Sequence, residues 1–113
     1  MTYSRYEIVK VPFPFTDKQA SKRRPALILS DGEAFNSRIG HSVMAMITSA
    51  KHAAWPLDTH IEDLNAAGLP TASVIRLKLF TLDNRLILGK LGQLATTDKL
   101  SFEQHLKTML LGQ

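Results

Sequence analysis

The chain has no cysteine. That removes disulfides and thiolate metal sites, and it suits a reducing compartment. Its four histidines, His41, His52, His60 and His105, show neither HxxxH nor HExxH spacing, so no metal site and no metal cofactor is expected. There is no glycine-rich loop of the P-loop or dinucleotide type. No run approaches the ~20 apolar residues of a membrane span. The opening MTYSRYEIVK lacks the hydrophobic core of an export signal. The expectation is a cytoplasmic protein without a membrane partner. Carboxylates are few, and no pair stands out as an acid/base couple. Repeats, low-complexity tracts and linkers are also missing. The 113 residues are therefore expected to form one domain, 1–113, long enough to bury a core without staples.

What is present is a basic excess. Lysine and arginine number 14 against 10 acidic residues, a net charge of +4, with a pI near 9.6. This balance favours an anionic partner, nucleic acid or an acidic peptide. The charge gathers in KQASKRRPALILS, residues 18–30, where Lys18, Lys22, Arg23 and Arg24 precede a proline and an apolar run. An arginine fork pairs bidentately with phosphate oxygens. Pro25 biases Arg24 toward an extended conformation, so the start of a strand sets its direction. A solvated loop accounts equally well for Lys18, Lys22 and Arg23.

The patterning is that of short strands followed by one helix. In YEIVKVPFPF, period-two alternation puts Val9, Val11, Phe13 and Phe15 on one face, with Pro12 and Pro14 marking an edge or bulge. TDKQASKRR, residues 16–24, reads as a polar loop. PALILS and SVMAMITS read as strands joined by the turn-rich DGEAFNSRIGH. LDTHI is a short strand, and EDLNAAGLP a loop. SVIRLKLFTLD alternates Ile75, Leu77 and Leu79 against Arg76 and Lys78, and Asn84-Arg85 turns it into LILGKLGQL. TTDKLSFEQHLKTMLL reads as an amphipathic helix capped by Thr97 or Asp98, with Leu100, Leu106, Met109 and Leu110 inward. Together these predict a mainly β fold: a small, strongly bent antiparallel barrel with a C-terminal helix packed on it.

Two further places hold side chains suited to chemistry. In ITSAKH, the Thr48 hydroxyl ends an apolar strand at the barrel rim, followed by Ser49, Lys51 and His52. Threonine is also an ordinary strand residue. Trp55 and Phe80 either stack on bases or pack in the core.

YEIVKVPFPFTD, KRRPALILS, MAMITSA and FTLDNRLILGKLGQL, in this order, resemble the MazF/PemK family of toxins from bacterial toxin–antitoxin modules. The likeness runs from about Tyr6 into the C-terminal helix. It implies an SH3-like barrel, a homodimer, and a sequence-specific endoribonuclease that cuts single-stranded messenger RNA without metal or other cofactor. It also implies a cognate antitoxin that blocks the site with a disordered acidic segment. The family's catalytic arginine falls on Arg24 and its catalytic threonine on Thr48. Gln19, Ser21, Lys22, Arg23, Ser49, Lys51 and His52 are the implied RNA contacts. Departures are Tyr6-Glu7 where the family has Gly-Asp, Gln19 and Ser21 in a loop that usually reads Ser-Glu-Gln, and RLKLF where an acidic residue and Gln are usual. Two rival readings share the fold. A gyrase poison binds through a tryptophan-bearing C-terminal tail, whereas this chain ends MLLGQ and has its one tryptophan at position 55. A silent binding module keeps the antitoxin contact without cleavage.

RNA supplies its own nucleophile, the 2′-hydroxyl. Its attack on the adjacent phosphorus gives a 2′,3′-cyclic phosphate. A held guanidinium at Arg24 matches the charge that builds in that transition state. Lys22 and Arg23, placed in the loop, are expected to serve RNA capture.

Overall fold

The computed structural model describes residues 2–13 and 22–113. Six strands, β1 (Glu7–Phe13), β2 (Lys22–Ile28), β3 (His41–Ser49), β4 (Thr59–His60), β5 (Ser73–Asp83) and β6 (Gly89–Gln93), form one antiparallel sheet. Their order is β4-β5-β3-β2-β1-β6. The sheet curls into a half-barrel, and the helix α3 (Thr96–Leu111) follows it, as the expected mainly β fold with a C-terminal helix requires. Phe15, Gln19 and Ser21, named above, lie outside the described residues.

Alternation along the strands builds two apolar clusters, one per face. Ile8, Leu27, Ala45, Ile47 and Ile75 join Leu94 and Phe102. Val9, Val11, Ala26, Ile28 and Met44 join Leu82 on the other side.

β2 begins at Lys22, three residues before the expected strand. Phe13, Pro12 and Val11 of β1 stand opposite Lys22, Arg23 and Arg24, and they supply ladder partners that the charge-rich sequence hides. Lys22 and Arg23 are therefore strand residues, not loop residues. The polar connections also hold more regular structure than expected. Asp31 accepts from Glu33 N and Ala34 N at 3.1 and 2.7 Å and nucleates a helical turn. Within EDLNAAGLP, Asp63 caps the short helix Leu64–Ala67 through Ala66 N at 2.9 Å. This helix lies so close to β6 that a Cβ on Gly92 would meet Ala66 O at 2.4 Å, and one on Gly68 would meet Leu91 O at 2.0 Å.

The helix α3 starts at Thr96, after Ala95, so neither Thr97 nor Asp98 is its cap. Asp98 is instead buried, at 1% exposure. Its carboxylate accepts from Glu62 N at 3.0 Å and Asp63 N at 3.1 Å, and so ties the loop before the short helix Leu64–Ala67 to the C-terminal helix. This sets the inward face. Asp98 and Phe102 are buried and Leu106 is partly buried, while Leu100, Met109 and Leu110 are exposed. A polar residue on the inner face shifts the apolar stripe away from the leucines that the spacing favoured.

Replacing Asp98 with alanine leaves the Glu62 and Asp63 amides without their carboxylate acceptor. It is expected to lower stability by about 3 kcal/mol, at the level of bonds to charged groups. Asp98→Asn, which keeps one acceptor, should cost less. Urea unfolding of the three proteins measures both.

Candidate nucleic-acid interface

The last β2–β3 ladder pair is Ala26 opposite Met46. Pro25 has no N–H to donate, so the ladder stops there. Continuing the same register puts Arg24 across from Thr48, on one face of the sheet, where the two strands part. Val11 stands opposite Arg24 on the other side. Phe13, two residues on, turns its ring to the guanidinium, whose carbon lies 4.9 Å from the ring centroid. The Arg24 Nε is buried and has no hydrogen-bond partner among the described residues. A buried donor without an acceptor is costly, and an anion at this place would remove the cost.

Arg24 and Thr48 line two adjoining hollows. The larger, of about 290 Å³, is completed by Phe13, Met46, His52, Ala53, Trp55, Arg76 and Lys78. The smaller, of about 210 Å³, includes Arg23, Ser49 and Thr71. The structure thus brings Arg23, Arg24, Thr48, Ser49 and His52 together. Lys22 and Lys51 line neither hollow. Roomier hollows lie elsewhere, but their cations are already engaged. In one of about 400 Å³, Arg85 is held by Asp83 at 2.7 Å. In another of about 500 Å³, Arg5 donates to Leu29 O at 2.8 Å beside Asp31 and Glu33. Among the described residues, no three histidine or acidic side chains converge as metal ligands.

Arg76 completes the far wall and Asp58 holds it there; neither was among the site residues expected from the sequence. Arg76 binds Asp58 at 3.0 Å and donates to Ala53 O at 2.9 Å. The alternation in VIRLKLF held the clue. It put Arg76 opposite the core-facing Ile75 and Leu77, and the register sets Arg76 against Met46, on the face that carries Thr48. Asp58 also accepts from Trp55 N at 3.0 Å. Between them Leu57 has φ 64°, a left-handed backbone that costs a branched residue about 1–2 kcal/mol. The Arg76 guanidinium lies 5.1 Å from the Trp55 centroid. Trp55 is thus neither packed in the core nor loose. It is 44% exposed and forms part of the cavity wall. Phe80 packs against the second apolar cluster.

This small curled antiparallel sheet, with a C-terminal helix and a basic cleft at the end of one face, defines the class of protein. The chain belongs to the family of PemK-like and MazF-like toxins of type II toxin–antitoxin systems, whose profile matches residues 4–110. No curated protein sequence matches it significantly. Solved structures share the fold. A chain of the MazE–MazF complex of Deinococcus radiodurans superposes with a TM-score of 0.75 at 20% identity, covering 98% of this chain and 97% of that one. An endoribonuclease bound to its cognate antitoxin, from a mycobacterial species, gives 0.74 at 17% identity, over 96% and 93%. The Mycobacterium tuberculosis toxin MazF-mt6 gives 0.71 at 17%, over 90% and 93%. Among the described residues, no helix is long and apolar enough to cross a membrane.

The Asp58–Arg76 pair gives the cleft wall an expected response to acid. Burial pushes the Asp58 carboxyl up, but hydrogen bonds from Arg76 and from Trp55 N, with the Arg76 charge, hold it below its usual value of 3.8. A depressed carboxylate stabilises the fold fully above its unfolded pKa. That stabilisation is lost as pH falls through the lower folded value. The gap in melting temperature between the native protein and Asp58→Asn should therefore be full near pH 7 and close below about pH 4. Thermal melts across that range test it.

Proposed function

We propose that this toxin is a metal-independent endoribonuclease that cuts single-stranded messenger RNA at Arg24 and Thr48. The observation that carries the reading is the Arg24 Nε, buried without a hydrogen-bond partner among the described residues, at the place where the β2–β3 register sets Arg24 across from Thr48. A scissile phosphate seated there takes the guanidinium fork on its non-bridging oxygens and a hydrogen bond from the Thr48 hydroxyl. The neighbouring 2′-oxygen attacks phosphorus, the bond to the 5′-oxygen breaks, and a 2′,3′-cyclic phosphate remains. His52, whose imidazole lines the same hollow, takes the 2′-hydroxyl proton. An arginine is too weak an acid to protonate the leaving oxygen readily, so water supplies that proton. Arg24 contributes by electrostatics: its charge is already in place as negative charge builds.

Supporting groups follow from position. Arg23 and Ser49, at the smaller hollow, hold the backbone on one side of the scissile phosphate. Lys22 and Lys51, exposed and outside both hollows, attract RNA through its charge. Gln19 and Ser21 are further proposed contacts. The same basic cleft suits the acidic segment of a cognate antitoxin, which would compete with RNA. The protein is proposed to act as a homodimer with RNA lying across both subunits.

Arg24→Ala should lower single-turnover cleavage at saturating RNA by ~100-fold or more. Arg24→Lys, which keeps the charge and removes the fork, should remain badly impaired. Lys22→Ala should weaken binding, reduce its salt dependence by about one phosphate contact, and leave saturated cleavage nearly unchanged. Cleavage should persist in EDTA. Activity that vanished in EDTA and returned with magnesium, once a contaminating nuclease was excluded, would overturn the reading. RNA bound tightly but never cut would leave the silent binding module.

A further inference from the structure

Four features of the cleft wall converge on one side chain. Trp55 N donates to Asp58 at 3.0 Å, which fixes the backbone that carries the indole. Asp58 in turn grips Arg76 at 3.0 Å, and their side chains are only 8% and 12% exposed. The guanidinium lies 5.1 Å from the indole centroid, so one ring face has a fixed cation near it. The turn is held although Leu57 must adopt φ 64°. Strain of this kind persists only where its surroundings over-determine it, and it clusters at ligand clamps. Yet the ring so carefully held is itself 44% exposed and lines the hollow shared with Arg24 and Thr48. A large aromatic side chain normally gains most by burial. Here rigidity is spent on keeping an indole open to a cavity.

We propose that Trp55, braced by Arg76 and Asp58, is a stacking platform for the base of a nucleotide flanking the scissile phosphate. The inference rests on the RNA reading of the Arg24–Thr48 cleft and adds how that RNA is oriented. A base laid on the indole lies beside the phosphate held by Arg24, so backbone and base are gripped at two points. Stacking accepts every base through its π-face. The platform therefore gives grip and alignment, whereas choice of sequence resides in other contacts. Because Arg76 is neutralised by Asp58, its part is to brace the ring, and Arg24 is left as the phosphate ligand.

Trp55 is the only tryptophan in the chain, so indole emission reports on this side chain alone. The test titrates the full-length Arg24→Ala protein, disabled for cleavage, with single-stranded RNA of random sequence and with inorganic polyphosphate. Polyphosphate carries the charge without bases. Binding is followed independently by the anisotropy of end-labelled RNA. RNA should quench the emission in step with binding, and polyphosphate should bind without comparable quenching. In the otherwise native protein, Trp55→Ala should raise KM for RNA cleavage about tenfold with kcat changed far less. Trp55→Phe should recover most of the loss, and Asp58→Asn, which frees the brace, should fall between. RNA that bound the Arg24→Ala protein with no change in emission, while the native protein cut the same RNA, would overturn the platform and leave the nuclease reading intact. Failure of the native protein either to bind RNA or to cut it would overturn both.

Discussion

The site depends on a single interruption in the sheet. A β-ladder normally pairs each strand to its end, and paired backbone leaves no room for a ligand. Pro25 lacks the amide that would extend the β2–β3 ladder past Ala26 and Met46. The strands part at Pro25 on one side and Ile47 on the other, one residue short of Arg24 and of Thr48. Side chains that alternation puts on the same face, Arg24 and Thr48, then stand across an opening instead of across a hydrogen-bonded pair. Everything nearby takes its position from that gap. Phe13 follows because β1 stays paired with β2 as far as Lys22, and Arg76 follows because β5 stays paired with β3 through Ser49. A rigid sheet on both flanks, open in the middle, is a good device for holding a charge without satisfying it.

The three cations of the KRR run show how position, more than charge, assigns roles. All are strand residues, and all have the same formal charge. Arg24 has its Nε buried with no partner among the described residues, and its guanidinium lies near the Phe13 ring. Lys22 is exposed, at the end of the strand. Charge in water is screened and adaptable, so it serves attraction over a distance. Charge held against an apolar wall is strong, directed and costly until it meets an anion. The contrast with Arg76 is sharper. That arginine is as firmly held as Arg24 but has its carboxylate already, so it serves geometry.

Much of the fold was legible in the sequence because it follows from period-two alternation. Val9, Val11, Ala26, Ile28 and Met44 fall on one face and Ile8, Leu27, Ala45 and Ile47 on the other, as their spacing requires. The Arg-Pro step was legible for a related reason, since proline leaves a local mark. The parts that were not legible depend on partners distant in sequence. The early start of β2 needs Phe13 and Pro12 opposite. The inward face of α3 is set by the Asp98 carboxylate, whose amide partners lie 36 and 35 residues away. No helical periodicity would rank an aspartate above Leu100 or Leu110 as a buried residue. Asp58 and Arg76, 18 residues apart, escaped for the same reason. Each looks like an ordinary surface charge until the sheet register brings them together.

The two halves of the cleft differ in how they are secured, and that difference bears on how such a site works. The Arg24–Thr48 side is backed by the central strands and by apolar side chains that are almost wholly excluded from water. The Trp55 side is backed by one partly buried ion pair and one left-handed residue. Removing either partner of such a pair leaves an uncompensated charge, so the wall is held as a unit and fails as a unit. A cleft built this way has one edge fixed by the core and one edge fixed by electrostatics. The first sets where charge is stabilised. The second sets the width available beside it, and does so through groups whose only formal role is to hold each other.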